Sequence, residues 1–92
     1  MKKDNQLDLT NHRIWKDKNI KKEGKLIYSY IYSKCFNKIV SLINVGDIQQ
    51  VIRITNVGFR KNLEQLEKND YITFSEKYNG VYAIRLGKLN NS

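Results

Sequence analysis

The sequence predicts an α+β domain of three helices, one short strand and a C-terminal β-hairpin. Three observations carry that expectation. Apolar residues recur at helical spacing in two stretches, Leu26, Ile27, Tyr30, Ile31 and Cys35 in the first and Phe59, Leu63 and Leu66 in the second. Two β-rich runs, YITF and VYAIRL, flank Tyr78-Asn79-Gly80, which is a strong hairpin signal. These 92 residues suffice for one domain with one modest core, since chains of this size bury only ~65% of the surface they expose when unfolded.

The first eighteen residues alternate polar and charged types around Leu7, Leu9, Ile14 and Trp15 without a helical period, so residues 1–18 read as a basic N-terminal arm pinned by Trp15. The folded domain is expected over 19–87. Its first helix is expected over 22–36, with Gly24 weakening the opening turn. IVSLIN, residues 39–44, is short and β-branched and reads as an edge strand. Asn44 stands three residues before Asp47, an arrangement that caps a helix and places an acid in its positive first turn. That second helix is expected over 45–53, with Ile48, Val51 and Ile52 as its apolar face. Thr55 then caps a third helix over 56–68, whose Arg60, Lys61, Glu64 and Lys68 fall off the apolar stripe. Asn69-Asp70 ends it, both residues being tolerant of the left-handed conformation.

The hairpin register follows from matching faces. A two-residue Asn-Gly turn sets Phe74 opposite Arg85 and mixes apolar with polar residues on both sides. A three-residue loop over 78–80, with Gly80 left-handed, sets Phe74 opposite Ile84 and Ile72 opposite Leu86. The second register is preferred. It leaves Thr73, Ser75, Lys77, Val81, Ala83 and Arg85 on the outer face. The tail, 88–92, is expected to fray.

Charge narrows the partners. Seventeen Lys and Arg stand against nine Asp and Glu, a formal +8, and a field of that size in a short chain favours polyanions. The excess is uneven: residues 1–38 hold ten basic and four acidic side chains, and the remainder seven and five. A solubilising surface charge is the plainer alternative. With a single cysteine, Cys35, neither an intramolecular disulfide nor a paired-thiolate metal site can form, which fits a reducing, cytoplasmic setting. No apolar run approaches the ~20 residues that span a bilayer, and MKKDNQLDLT has no apolar stretch after its lysines, so no membrane partner is expected. Eleven asparagines, thirteen lysines and no proline hint at an AT-rich coding sequence.

Residues 47–72, DIQQVIRITNVGFRKNLEQLEKNDYI, resemble without a gap the helix-turn-helix and the start of the wing in winged helix-turn-helix DNA-binding proteins. Asp47, Ile48, Ile52, Ile54, Thr55, Phe59, Leu63, Leu66, Glu67 and Ile72 take the places of that family's pattern. Upstream, KDKNIKKEGKLIYSYIYSK resembles the first helix of plasmid and phage replication proteins of the same class. Size, charge and composition are also similar to the winged-helix accessory proteins of conjugative-plasmid relaxosomes. Two positions depart from the pattern: Arg53 and Asp70 stand where the family usually has glycine. Both sites are expected to want a left-handed backbone, which a non-glycine residue adopts at a cost of ~1 kcal/mol.

The resemblance implies a winged helix-turn-helix fold and sequence-specific binding of double-stranded DNA. The role implied is that of an accessory or regulatory protein at a plasmid or phage origin, of replication or of transfer, or at a promoter. It would act there by occupancy, bending or recruitment, alongside other DNA-processing proteins and without a cofactor. A helix presented by a tight turn can enter the major groove, where its N-terminal residues reach base edges. Thr55, Asn56, Val57, Arg60, Lys61 and Gln65 are the side chains so presented, and Gly58 among them leaves the helix less to read with. The alternative for Arg60 and Lys61 is pairing with Glu64 and Gln65 on a solvated face. The wing tip, Lys77, Tyr78 and Asn79, with Arg85 on the outer face of the hairpin, can reach a groove or a phosphate. Because phosphate neutralisation supplies most DNA affinity, Arg13, Lys16, Lys18, Lys21 and Lys22 are further candidates. No catalytic or metal site is expected: His12 has no acid or thiol cluster near it, Cys35 reads as packing, and four scattered arginines give the tyrosines no phosphate-activating cluster. A winged-helix module that binds proteins and not nucleic acid is the alternative function. Monomer and homodimer both remain open.

Overall fold

In the computed structural model, which describes residues 13–87, a 3-10 turn (Arg13–Lys16) leads into α1 (Lys22–Cys35), β1 (Ser41–Asn44), α2 (Val45–Gln49), α3 (Asn56–Lys68), β2 (Ile72–Tyr78) and β3 (Val81–Leu86). The three strands form one antiparallel sheet in the order β1-β3-β2. The fold is thus α+β, with α1 and α3 against one face of the sheet. The expectations for residues 1–12, His12 included, and for the tail 88–92 lie outside the described residues.

α1 forms where its apolar spacing places it, but its buried face is Ile27, Tyr28, Ile31 and Cys35, while Leu26 is 43% exposed. The cause is Tyr28, whose ring meets Tyr71 edge-on at 5.4 Å and draws that face of the helix onto the core. Gly24 is buried, and a Cβ there would sit 3.1 Å from Asn62 Oδ1, so it marks a close approach of α1 to α3 and not a loose end. Asn37, at φ 65°, turns the chain after the helix.

β1 is shorter than expected, with Ile39 and Val40 outside it, and lies at the sheet edge as anticipated. Asn44 caps α2 by accepting the Gly46 N–H at 2.8 Å, and Asp47 sits in the first turn. α2 itself stops at Gln49, four residues before the expected end. Gln49 explains the early stop: its Nε2 donates to Ile54 O (2.9 Å) and Asn56 Oδ1 (3.1 Å), so a side chain spans the turn. Val51, expected on the apolar face, is 69% exposed. Arg53 also differs from expectation, since the only left-handed non-glycine residues among those described are Asn37 and Asp70. The turn before α3 therefore needs no glycine.

α3 runs as the sequence predicts. Thr55 Oγ1 accepts the Gly58 N–H at 2.9 Å, and Phe59, Leu63 and Leu66 are fully buried. At its far end Asp70 adopts φ 69°, Asp70 N–H donates to Glu67 O, and Tyr71 N–H donates to Leu66 O. That pair of bonds is a Schellman closure with aspartate in the place usual for glycine.

The hairpin has the predicted register, Ile72 opposite Leu86 and Phe74 opposite Ile84. The loop differs in detail: Tyr78 still pairs with Val81, and the shift is absorbed by an irregularity at Lys77, with Gly80 at φ 82°. Ile43, Tyr82, Ile84 and Ile72 face the helices and are buried. Tyr82 meets Phe59 and Phe74 edge-on, at 5.5 and 5.9 Å.

Residues 13–18, read as part of an arm, are fastened to this body. Ile14 is fully buried and Ile20 is 3% exposed, whereas Trp15, expected to be the anchor, is 37% exposed.

Candidate nucleic-acid interface

Two surfaces flank α3, one toward the start of α1 and one toward the hairpin. On the first, Lys21 and Lys61, forty positions apart in sequence, line the same groove with Asn62 and Gln65. Lys16, Lys18 and Lys22 are exposed nearby in sequence. Gln65 donates to Asn19 O at 3.1 Å, and Asn62 donates to Glu23 Oε1 at 3.0 Å, so both amides hold the lysine-bearing segment against α3. Gly58 lies on this side too, close to Thr55 and Ile54, where a Cβ would meet Thr55 Oγ1 at 3.1 Å. Its missing side chain therefore leaves room beside the cap and is not a gap at the centre of the outward face.

On the second surface, Asn56, Val57, Arg60, Lys61 and Glu64 form one wall of a groove, with Glu76 and Asn79 of the hairpin opposite. Arg60 crosses it. Its NH1 donates to Glu76 Oε1 at 2.7 Å, its Nε to Glu64 Oε2 at 3.3 Å, and its guanidinium lies 5.9 Å from the Phe74 ring. The bond to Glu64 raises its already high pKa, so the cation persists at any working pH. Glu76 also accepts the Gly80 N–H at 3.4 Å, so one carboxylate links helix, strand and turn. The solvated i, i+4 pairing of Arg60 with Glu64 is present, extended to Glu76 as a second acidic partner. Lys61 has no such partner among the described residues.

Arg13 is used differently from the lysines that follow it. NH1 donates to the Tyr71 hydroxyl at 3.0 Å and NH2 to Asn69 O at 3.2 Å, with the guanidinium 3.9 Å from the Tyr71 ring centre. Tyr71 in turn donates to Asp17 Oδ2 at 2.8 Å. The Asn19 N–H and the Tyr71 hydroxyl hold the Asp17 carboxyl below the usual carboxylate range, while burial and Asp17 push the Tyr71 phenol up to about 12. This cluster ties the 13–19 segment to the end of α3.

The remaining sequence candidates divide by position. Lys77, Tyr78 and Asn79 sit at the hairpin turn, exposed, with Tyr78 71% accessible. Arg85 pairs with Thr73 at the opposite end of the hairpin and is not brought to that groove. Thr55 is exposed but serves as the cap. Sequence reading missed Glu76, Gln49 and Asn62 as organisers, because their partners lie on other elements; only the i, i+4 spacing of Arg60 and Glu64 carried a local signal. Among the described residues there is no His, Cys, Asp and Glu group able to hold a metal, and no helix long and apolar enough to cross a membrane. Cys35 is buried, with its thiol pushed up by burial. No protein-family model, curated protein or solved structure gives a significant match to this chain.

Proposed function

We propose that the protein is a winged helix-turn-helix module that binds double-stranded DNA at specific sequences, with α3 in the major groove and the β2–β3 hairpin as the wing. The order helix, strand, helix, helix, hairpin, with β1 beside β3, supports that reading. The observation that carries it is the basic line joining α1 to α3: Lys21 and Lys61 flank one groove, with Lys16, Lys18 and Lys22 exposed in the segment that leads to it. Phosphates run alongside a helix seated in the major groove, and the lysines on the α1 side of α3 are placed to meet them. The protein acts by occupancy, as an accessory or regulatory factor at a plasmid or phage origin or at a promoter. It needs no cofactor and performs no covalent step.

A second reading has its own observation. Leu42 on the edge strand β1 and Ile39 and Val40 just before it are 67%, 83% and 48% exposed, a surface suited to a protein partner or a second copy. The two are separated by titrating the full chain into a fluorescent 30-base-pair duplex at several salt concentrations. DNA binding gives a linear fall of log affinity with log salt, and Lys21→Ala and Lys61→Ala each lower the slope by about one. A protein-only module shows neither retention nor slope.

A further inference from the structure

The polar side chains of α3 suited to reading bases are largely occupied within the protein. Arg60 directs Nε and one NH1 hydrogen at Glu64 and Glu76, so a two-pronged approach to guanine competes with two carboxylates for the guanidinium. Gln65 donates to Asn19 O. Asn56 is engaged on one side only. Gln49 Nε2 is fixed by the Ile54 carbonyl, and the same nitrogen reaches Asn56, so Asn56 must offer it oxygen. The Asn56 amide nitrogen is left as a full donor, while its oxygen, turned toward Gln49 with one lone pair taken, is less well placed to grip adenine from two sides. Next to it stands Val57, 65% exposed in the first turn of α3, on the wall of the groove facing the hairpin.

We propose that α3 reads thymine, with the Val57 methyl groups against the C5 methyl and Asn56 Nδ2 donating to O4. This inference rests on the duplex-binding reading above. An apolar contact beside a hydrogen-bond donor matches one base edge in the major groove. Thymine shows a methyl next to an acceptor, whereas cytosine lacks the methyl and presents a donor that opposes Asn56. Gln49 is then a positioning residue, since it sets which way the Asn56 amide faces.

Deoxyuridine supplies the test, because it keeps O4 and lacks only the methyl. A duplex selected by the full chain from a randomised 30-base-pair pool is resynthesised with uracil replacing one thymine at a time. At one position per bound copy, uracil is expected to weaken binding about three- to fivefold, the worth of one methyl removed from water. Val57→Ala, an exposed substitution, is expected to bind the two duplexes within about twofold of each other with its salt slope unchanged. Uracil without effect at every thymine, or Val57→Ala with the full difference retained, overturns the inference while leaving duplex binding intact. Absence of salt-dependent duplex binding overturns the parent reading, and this one with it.

Discussion

Gly87 closes the domain, and replacing it with alanine is the sharpest structural test. Its N–H donates to Tyr71 O at 2.8 Å, drawing the end of β3 against the chain that leaves α3. A Cβ at residue 87 would lie 2.2 Å from Asp70 O, 2.9 Å from Asp70 C and 3.0 Å from Tyr71 C. A carbon and a carbonyl oxygen approach to only about 3.3 Å, so one backbone segment must move by roughly 1 Å. Asp70 and Tyr71 cannot swing away, since their amides are held by Glu67 O and Leu66 O. Overpacking of this kind costs about 1–3 kcal/mol, and a rigid backbone neighbour places the cost near the top of that range. The alanine restricts the unfolded chain and returns about 0.4–1 kcal/mol. A net loss of about 2 kcal/mol lowers Tm by roughly 8–16 °C in a domain of this size. Thermal unfolding followed by circular dichroism measures it, with Gly24→Ala as the internal control. There the new Cβ meets the Ile20 and Asn62 side chains at 3.0 and 3.1 Å, groups that can turn, and a helix-propensity gain of about 1 kcal/mol offsets the crowding. Gly87→Ala within about 2 °C of wild type, or Gly24→Ala as damaging as Gly87→Ala, is incompatible with a rigid backbone clash at residue 87 and yielding side chains at residue 24.

Asp70→Gly relieves the left-handed strain of an aspartate at φ 69° and is expected to raise stability by about 1 kcal/mol, read as a higher urea midpoint. Thr55→Ala removes the acceptor for the Gly58 N–H and should cost about 1 kcal/mol, whereas Thr55→Ser keeps the cap and most of the stability. Asp17, with its folded pKa lowered, stabilises the fold at neutral pH and loses that contribution as pH falls through the folded value; Tyr71→Phe is expected to move the Asp17 titration upward in an NMR pH series. Tyr71 is raised to about 12, so its contribution is complete below the ordinary tyrosine range and is lost as pH climbs from there toward about 12, visible as delayed phenolate absorbance.

What the sequence revealed of this fold was its locally encoded part. Apolar spacing located α1 and α3, the caps Asn44 and Thr55 set where α2 and α3 begin, and the need to put Phe74 opposite Ile84 fixed the hairpin register. Each depends on residues a few positions apart or on one pair of adjoining strands. The misread features depend on distant contacts. Tyr28 turns inward because Tyr71 is there, and α2 ends early because the Gln49 amide reaches over the turn to Ile54 and Asn56. Residues 13–18 join the body because Ile14 enters the core and Arg13 finds Tyr71 and Asn69. The candidate interface divides the same way. Exposure of Asn56, Val57 and Lys61 followed from helical phase, but the engagement of Arg60 by Glu76 and the convergence of Lys21 with Lys61 required the tertiary arrangement.

In the proposed complex, α3, the segment from Lys16 to Lys22 and the hairpin tip form one surface for duplex DNA. Amide chemical shifts of the isotopically labelled full chain, followed during titration with a 30-base-pair duplex, test it most directly. The changes are expected to cluster at Asn56–Lys61, Lys16–Lys22 and Lys77–Asn79, with Ile39–Leu42 unmoved. Changes centred on Ile39–Leu42, or none at saturating duplex, would contradict it.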